Sequence, residues 1–255
     1  MKSKAWTEKF MQGVFFIAAC ASVLAVALIC VFLFANGIPA MKEIGFGKFL
    51  TGEIWKPNND IYGILPMIVG SLYVTAGAIV FGVPIGILTA AFMAFYCPKQ
   101  IYKPLKTATE LLAGIPWVVY GFFGLVVLVP LIRNIGRSLK EMGILRSAGN
   151  GSSILTASLL LGMMILPTII GLTESSLRAV PSQYYEGAVA LGATHERAIF
   201  KVVLPAAKSG VVAAIVLGVG RAIGETMAVI MVAGNQARMP AGIFKGVRTL
   251  TANIV

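Results

Sequence analysis

Long apolar runs alternating with short hydrophilic connections dominate the chain, at about 13–35, 64–96, 111–132, 154–172 and 211–234. A helix that crosses a bilayer needs about 20 predominantly apolar residues, and each run has room for one. The first run follows a basic leader, 1–12, with Lys2, Lys4 and Lys9. A signal-peptide core covers only about 7–15 residues, so this longer run reads as a retained helix. The second run carries Pro66 and Pro84 and is long enough to tilt or kink.

The connections carry the rest of the pattern. Residues 36–61 read as a structured polar loop with Trp55 at the interface. A basic connection, 97–109, holds Lys99, Lys103 and Lys106, and a polar loop between the third and fourth runs holds Arg133, Arg137, Lys140, Glu141 and Arg146. The longest hydrophilic interval after the first run, 173–209, contains helix formers, a Pro181 start signal and mixed charge around Glu186, Glu196, Arg197 and Lys201. It predicts two short helices lying across one membrane face. The expected fold class is an all-α transmembrane bundle, with one membrane domain over 13–255.

Composition agrees. The chain of 255 residues is 58% hydrophobic and 12% charged, with a mean hydropathy of +0.87. Soluble domains are about 45–50% apolar and about 25% charged, so a soluble domain, a disordered chain, a disulfide scaffold and a fibrous repeat are all excluded. Net charge is +11, but the basic residues sit in the connections. They read as anchors at membrane ends, and no nucleic-acid partner is implied. With Met1 cytoplasmic, the inside and outside connections hold ten Lys and Arg each, leaving Arg221 within the membrane. Charge alone does not orient the chain. Cys20, Cys30 and Cys97 form no pairing framework or metal spacing and read as packing residues.

Arg221 stands near the middle of the fifth run, about 15 Å along a helix rising ~1.5 Å per residue. An arginine at that depth costs at least ~2.5–3.5 kcal/mol. Glu225 is four residues on, on the same face of a continuous helix. Two readings stay open: an ion pair that fixes packing, or an anion path in which the guanidinium offers forked hydrogen bonds to an oxyanion. Gly220 and Gly224 form a small-xxx-small step for close helix packing. No GxxxxGK[ST], HExxH, GxSxG or CxxC pattern occurs, and His195 is the one histidine. No cofactor, metal or catalytic constellation is expected in this chain.

Glu186-Gly187-Ala188, then Gly192, then Val202-Val203-Leu204-Pro205 describe a small-residue helix, a turn, a second helix and a proline before the next span. Ala188 and Gly192 would leave a shallow surface for a partner, or the helix would lie on lipid.

This interval resembles the cytoplasmic EAA loop of ABC-importer permeases. Glu186, Ala188, Gly192, Leu204 and Pro205 match in register, with Gly187 in place of alanine and Val202 in place of isoleucine. Tyr62–Pro66, Ala113–Pro116 with Val119–Gly121, Ile165–Thr168, Leu177–Pro181 and Gly220–Val229 are similar to the phosphate-importer permeases. The last stretch, running on to Asn235, looks like the PstC-type subunit rather than the PstA-type. The resemblance implies a type I importer fold in the plasma (inner) membrane with the N-terminus cytoplasmic. It implies a PstA-type partner, a PstB-type ATPase dimer using ATP and Mg, and a PstS-type binding protein that delivers phosphate. It places Arg221 and Glu225 in phosphate translocation and the EAA loop in a groove of the ATPase. Because the family has six spans, a sixth is expected beyond Val255, with 249–255 as its start. A sulfate or molybdate permease is the specificity alternative, since a lone arginine does not choose among tetrahedral anions. A secondary transporter coupled to protons through Glu225, or a non-transporting interaction protein, would leave the EAA spacing unexplained.

Overall fold

The computed structural model describes residues 2–145 and 147–254, with side chains from Glu8 onward. The chain divides into two compact units, Met1–Gly52 with Lys56–Gly63, and Glu53–Trp55 with Ile64–Val255.

The first unit is built on α1 (Lys2–Ile44), a continuous helix with Pro39 inside it. It is apolar on all sides and exposed from Glu8 through Asn36, the pattern of a helix whose surroundings are lipid. The loop expected from residue 36 does not begin there. Asn36 Nδ2 donates to the Phe32 carbonyl at 2.8 Å, so a polar residue is absorbed within the helix. The true stop is Gly45, left-handed at φ 89°, whose N–H returns to Met41 O at 3.0 Å. The short α2 (Phe46–Thr51) follows. The expected leader is therefore the first turns of α1, with the Lys2 and Lys4 side chains outside the described residues. Cys20 and Cys30 lie exposed on α1, contrary to the packing role expected of them. A 3-10 turn, Pro57–Asn59, lies between the two-residue strands β1 (Trp55–Lys56) and β2 (Ile61–Tyr62).

The second unit holds the remaining helices. α3 (Leu65–Ala91) continues through a π turn to Tyr96. The basic connection expected at 97–109 is instead helical, α4 (Lys99–Gly114). It ends because Pro116 drives Ile115 out of the helical region, to φ −67° and ψ 127°. The third span thus begins at Trp117, not at 111, as α5 (Trp117–Phe123). A π turn leads on to α6 (Val129–Glu141). α7 (Ile154–Arg178) extends six residues past the expected end at 172, so the interval expected at 173–209 starts only after Arg178. Then come α8 (Ser182–Ala190), α9 (His195–Ala198), α10 (Leu204–Ala206), α11 (Lys208–Gly224) and α12 (Met227–Val232). Among the described residues four helices are long and apolar enough to span a membrane, and five if the bent α9–α10 and α11 pair is one span.

α7 is the centre of this unit. Leu160, Leu161, Ile165 and Ile169 are at most 2% exposed. α3 lies parallel to it at close range: Ser158 Oγ donates to Val74 O at 3.1 Å, and a Cβ on Gly77 would run into Ser158. α11 runs antiparallel on α7, with Gly210 beside Ser176 and Gly218 beside Ile169.

The N-terminus of α7 is closed by distant chain. Ser153 Oγ accepts the Thr156 N–H at 3.3 Å. The Ser153, Ile154 and Leu155 N–H groups donate to Val232, Lys245 and Ile243 carbonyls at 3.1, 3.0 and 2.9 Å, so amides a helix start leaves open are satisfied. The described part of 249–255 holds a 3-10 turn, Thr251–Asn253. Val255 lies outside the described residues.

Candidate functional site

The fifth span is broken where the charges lie. α11 stops at Gly224, and Glu225 is extended at φ −71° and ψ 129° before α12 begins. Arg221 and Glu225 therefore do not share the face of one helix, and the ion pair that was one of the two readings is absent among the described residues. Glu225 Oε1 accepts the Ala228 N–H at 3.1 Å, capping α12. The Glu225 carbonyl accepts from Thr251 Oγ1 at 3.0 Å. Arg221 sits in the last turn of α11, exposed, and its Nη1 donates to Thr168 Oγ1 of α7 at 3.3 Å. An uncompensated guanidinium beside irregular backbone at membrane depth is the arrangement expected where a span lines a polar cavity.

Among the described residues Gly220 and Gly224 face open space: beyond their own helix, a Cβ at either would meet no atom within 4 Å. The close contact is made by Gly218, where a Cβ would sit 3.1 Å from Ile169 Cγ1. Within the described residues the close helix contact therefore falls on Gly218, half a turn before Gly220.

At the opposite end of α11 the chain projects α8 through α10. Glu186 and Gly187 are exposed on α8 and Ala188 is half-buried. Leu191, at the tip, is 91% exposed. Gly192 turns the chain at φ 86°, a conformation that suits glycine. The Thr194 hydroxyl then caps α9, accepting the Arg197 N–H at 3.4 Å. Val203 and Ala207 are buried with Ala90, Ala91, Leu177 and Val211, while Leu204 is half-buried and Pro205 exposed. Segments 195–206 and 208–224 meet at 71°. The predicted residues are thus gathered on one projecting segment joined to α11 by a buried elbow.

Residues 82–252 match the family described as the inner membrane component of binding-protein-dependent transport systems. The chain belongs to that family. It is 39% identical over 250 residues to a protein of Bacillus subtilis named probable ABC transporter permease protein YqgH, covering 96% of this chain and 78% of that one. It is 35% identical over 246 residues to the phosphate transport system permease protein PstC of Mesorhizobium japonicum, covering 92% of this chain and 75% of that one. Against the protein of the same name from Pasteurella multocida the identity is 36% over 244 residues, covering 92% and 76%.

This inner membrane component carries a second polar centre that sequence reasoning missed. Glu174, 1% exposed, accepts from Tyr102 Oη at 2.7 Å, Lys106 Nζ at 2.9 Å and Arg178 Nε at 2.9 Å. Arg178 Nη2 also donates to Met93 O at 2.9 Å. One buried carboxylate thereby ties α4, α7 and the π turn after α3 together, next to the elbow. The hydrogen bond to Glu174 raises the Lys106 ammonium above its ordinary value, and the same carboxylate raises the Tyr102 phenol. Two signals were available: Glu174 and Arg178 stand four apart in the favourable order, and so do Tyr102 and Lys106 on one face of α4.

Proposed function

We propose that the chain is the membrane-spanning permease subunit of an ATP-driven importer that carries inorganic phosphate into the cell by alternating access. The observation that carries this reading is the similarity, over 92% of the chain, to proteins named phosphate transport system permease protein PstC. The unpaired Arg221 at a broken span supports it, because a guanidinium with no carboxylate partner is free to accept an oxyanion. Its hydrogen bonds match a tetrahedral anion without choosing among such anions, so the relatives carry the preference for phosphate over sulfate or molybdate.

In this reading the N-terminus is cytoplasmic, and the segment with Glu186, Gly187, Ala188, Gly192, Leu204 and Pro205 seats in a PstB-type ATPase. ATP and Mg act there, and this chain is not itself an enzyme. ATPase closure displaces α8 through α10, and the buried elbow at Ala207 transfers the movement to α11. The far end of α11 bears Arg221, which contacts phosphate transiently. Glu225 shapes the break by capping α12. Gly220 and Gly224, open in this chain, face a PstA-type subunit, and a PstS-type protein supplies phosphate from outside.

The test is phosphate uptake into vesicles containing the full-length chain with its partner subunits, with and without ATP, against sulfate and molybdate. ATP-dependent uptake of phosphate alone is the expected result. Uptake that ignores ATP and follows a proton gradient would overturn the importer reading.

A further inference from the structure

The charges at the N-terminal end of α7 form a pattern that the translocation site does not use. Among the described residues, connections 133–153 and 235–254 bring Arg133, Arg137, Lys140, Arg238, Lys245 and Arg248 to this end against a single acid, Glu141. Both ion pairs among the described residues converge on Glu174 at the other end. None of these six cations is neutralised by a carboxylate. Arg248 is held by neutral groups, with Nε donating to Asn235 Oδ1 at 2.6 Å and Nη1 to Asn253 Oδ1 at 3.2 Å. Arg133 Nε is buried without a hydrogen-bond partner, a state that native structures rarely leave uncompensated. With α8 through α10 on the cytoplasmic side this end faces outward, where short loops are normally poor in Lys and Arg. The positive-inside preference therefore does not account for the charges.

A cavity of about 480 Å³ opens among them, lined by Gly149, Asn150, Gln236, Arg238, Lys245 and Gly246, among others. Lys245 Nζ donates to Ser147 Oγ at 2.9 Å, which holds the ammonium at one position. Two carboxamides and two cations share the walls with Met239, Ala241 and Phe244, and no acid lines them. A guanidinium, an ammonium and amide N–H groups are the donors that recognise a multiply charged oxyanion. A recess of this kind suits a small anion better than the broad face of a protein.

We infer that this cavity is a low-affinity vestibule for a tetrahedral oxyanion, holding the substrate before it reaches Arg221. The inference rests on the importer reading for the identity of the anion and for the outward side. Cations gathered at the mouth of a recess raise the local concentration of an anion, so the vestibule acts on capture rather than on the transport step.

The experiment compares wild type, Arg238→Gln/Lys245→Gln and Arg238→Lys/Lys245→Arg, each assembled with its partner subunits in lipid nanodiscs or vesicles. Binding of inorganic phosphate is read from its 31P line width in nanodiscs, and capture is read from the KM of ATP-dependent uptake. The neutral pair is expected to weaken phosphate broadening at least fivefold and to raise KM at least fivefold, with kcat within twofold. The charge-conserving pair should behave as wild type. Unchanged broadening and KM in the neutral pair, or equal relief of broadening by chloride at matched ionic strength, would overturn the vestibule. Loss of kcat at constant KM would also overturn it, marking a structural role. Absence of ATP-dependent uptake by the wild type would instead overturn the importer reading, while the nanodisc broadening still decides the cavity.

Discussion

Arg221 reaches across from α11 to α7, where its Nη1 donates to Thr168 Oγ1 at 3.3 Å. That hydroxyl is the one side-chain partner of the guanidinium among the described residues, and it is neutral. The arginine is thereby aimed without being neutralised, and its remaining N–H groups stay open to an anion. Thr168 lies on the best-packed helix of the unit, between the buried Pro167 and Ile169, so the aim is set by rigid backbone.

Thr168 should consequently act on transport through Arg221. Thr168→Val keeps the side-chain shape and removes the acceptor, a loss of about 1 kcal/mol for a hydrogen bond of this kind. Uptake is expected to fall roughly fivefold, with Thr168→Ser close to wild type and Arg221→Gln inactive while still assembling with its partners. Normal uptake by the Arg221→Gln assembly would end the proposed role of that residue.

Glu225 offers a separation of shape from charge. Its Oε1 caps α12, and a glutamine oxygen can accept the same N–H. Glu225→Gln should keep uptake within about twofold, whereas Glu225→Ala should lose about 1 kcal/mol with the cap and lower both the melting temperature and uptake. A Glu225→Gln assembly that folds normally and does not transport would restore a role for the charge.

The Glu174 centre should govern stability at the elbow end. Breaking a buried ion pair typically costs about 3–5 kcal/mol. Here Lys106 and Arg178 keep 30% and 45% of their side-chain surface in contact with the surroundings, which reduces the loss to about 1–3 kcal/mol. Glu174→Gln leaves the volume unchanged, so a lower melting temperature would report the charge itself. A double-mutant cycle with Lys106→Met should show strong coupling between the two sites, and independence would remove the ion pair from the account.

The same centre predicts an alkaline limit. Lys106 and Tyr102 both have folded values raised above their ordinary 10.5 and 10.0, so the folded state holds their protons more tightly. The stability they add is complete below about pH 10 and is lost as pH rises through the raised values. Melting curves from pH 8 to 11.5 should show this alkaline loss in the wild type and a flatter profile in Glu174→Gln. Identical profiles would contradict it.

Gly77 tests the α3–α7 contact. A methyl group there would strike Ser158 Oγ and Cβ, and overpacking of a tight interface costs about 1–3 kcal/mol. Gly77→Ala is expected to lower the melting temperature, and Ser158→Gly in the same chain should recover part of it. A neutral Gly77→Ala would mean that the helices separate freely at this point.

The apolar runs, the small-residue segment 186–205 and Arg221 were legible along the chain because each is local. Length and hydropathy decide whether a segment can cross lipid, and a fixed spacing decides whether Glu186, Gly192 and Pro205 stand in register. The ends of the runs were less legible. Thr173–Arg178 is polar enough to read as a loop, yet it stays helical because Glu174 finds three donors there.

Tertiary structure alone decided where Arg221 and Glu225 point. On a continuous helix they would face each other four residues apart. The helix ends between them, with Thr251 bound to the Glu225 carbonyl from 26 residues away and Thr168 meeting Arg221 from 53 away. Such pairings depend on which distant segments are brought together, and no pattern confined to one segment contains that information. The sequence by itself determined a membrane bundle and a cation within its fifth apolar run. Long-range packing determined that the cation stands open beside a break, because only packing supplies the groups that satisfy the interrupted backbone.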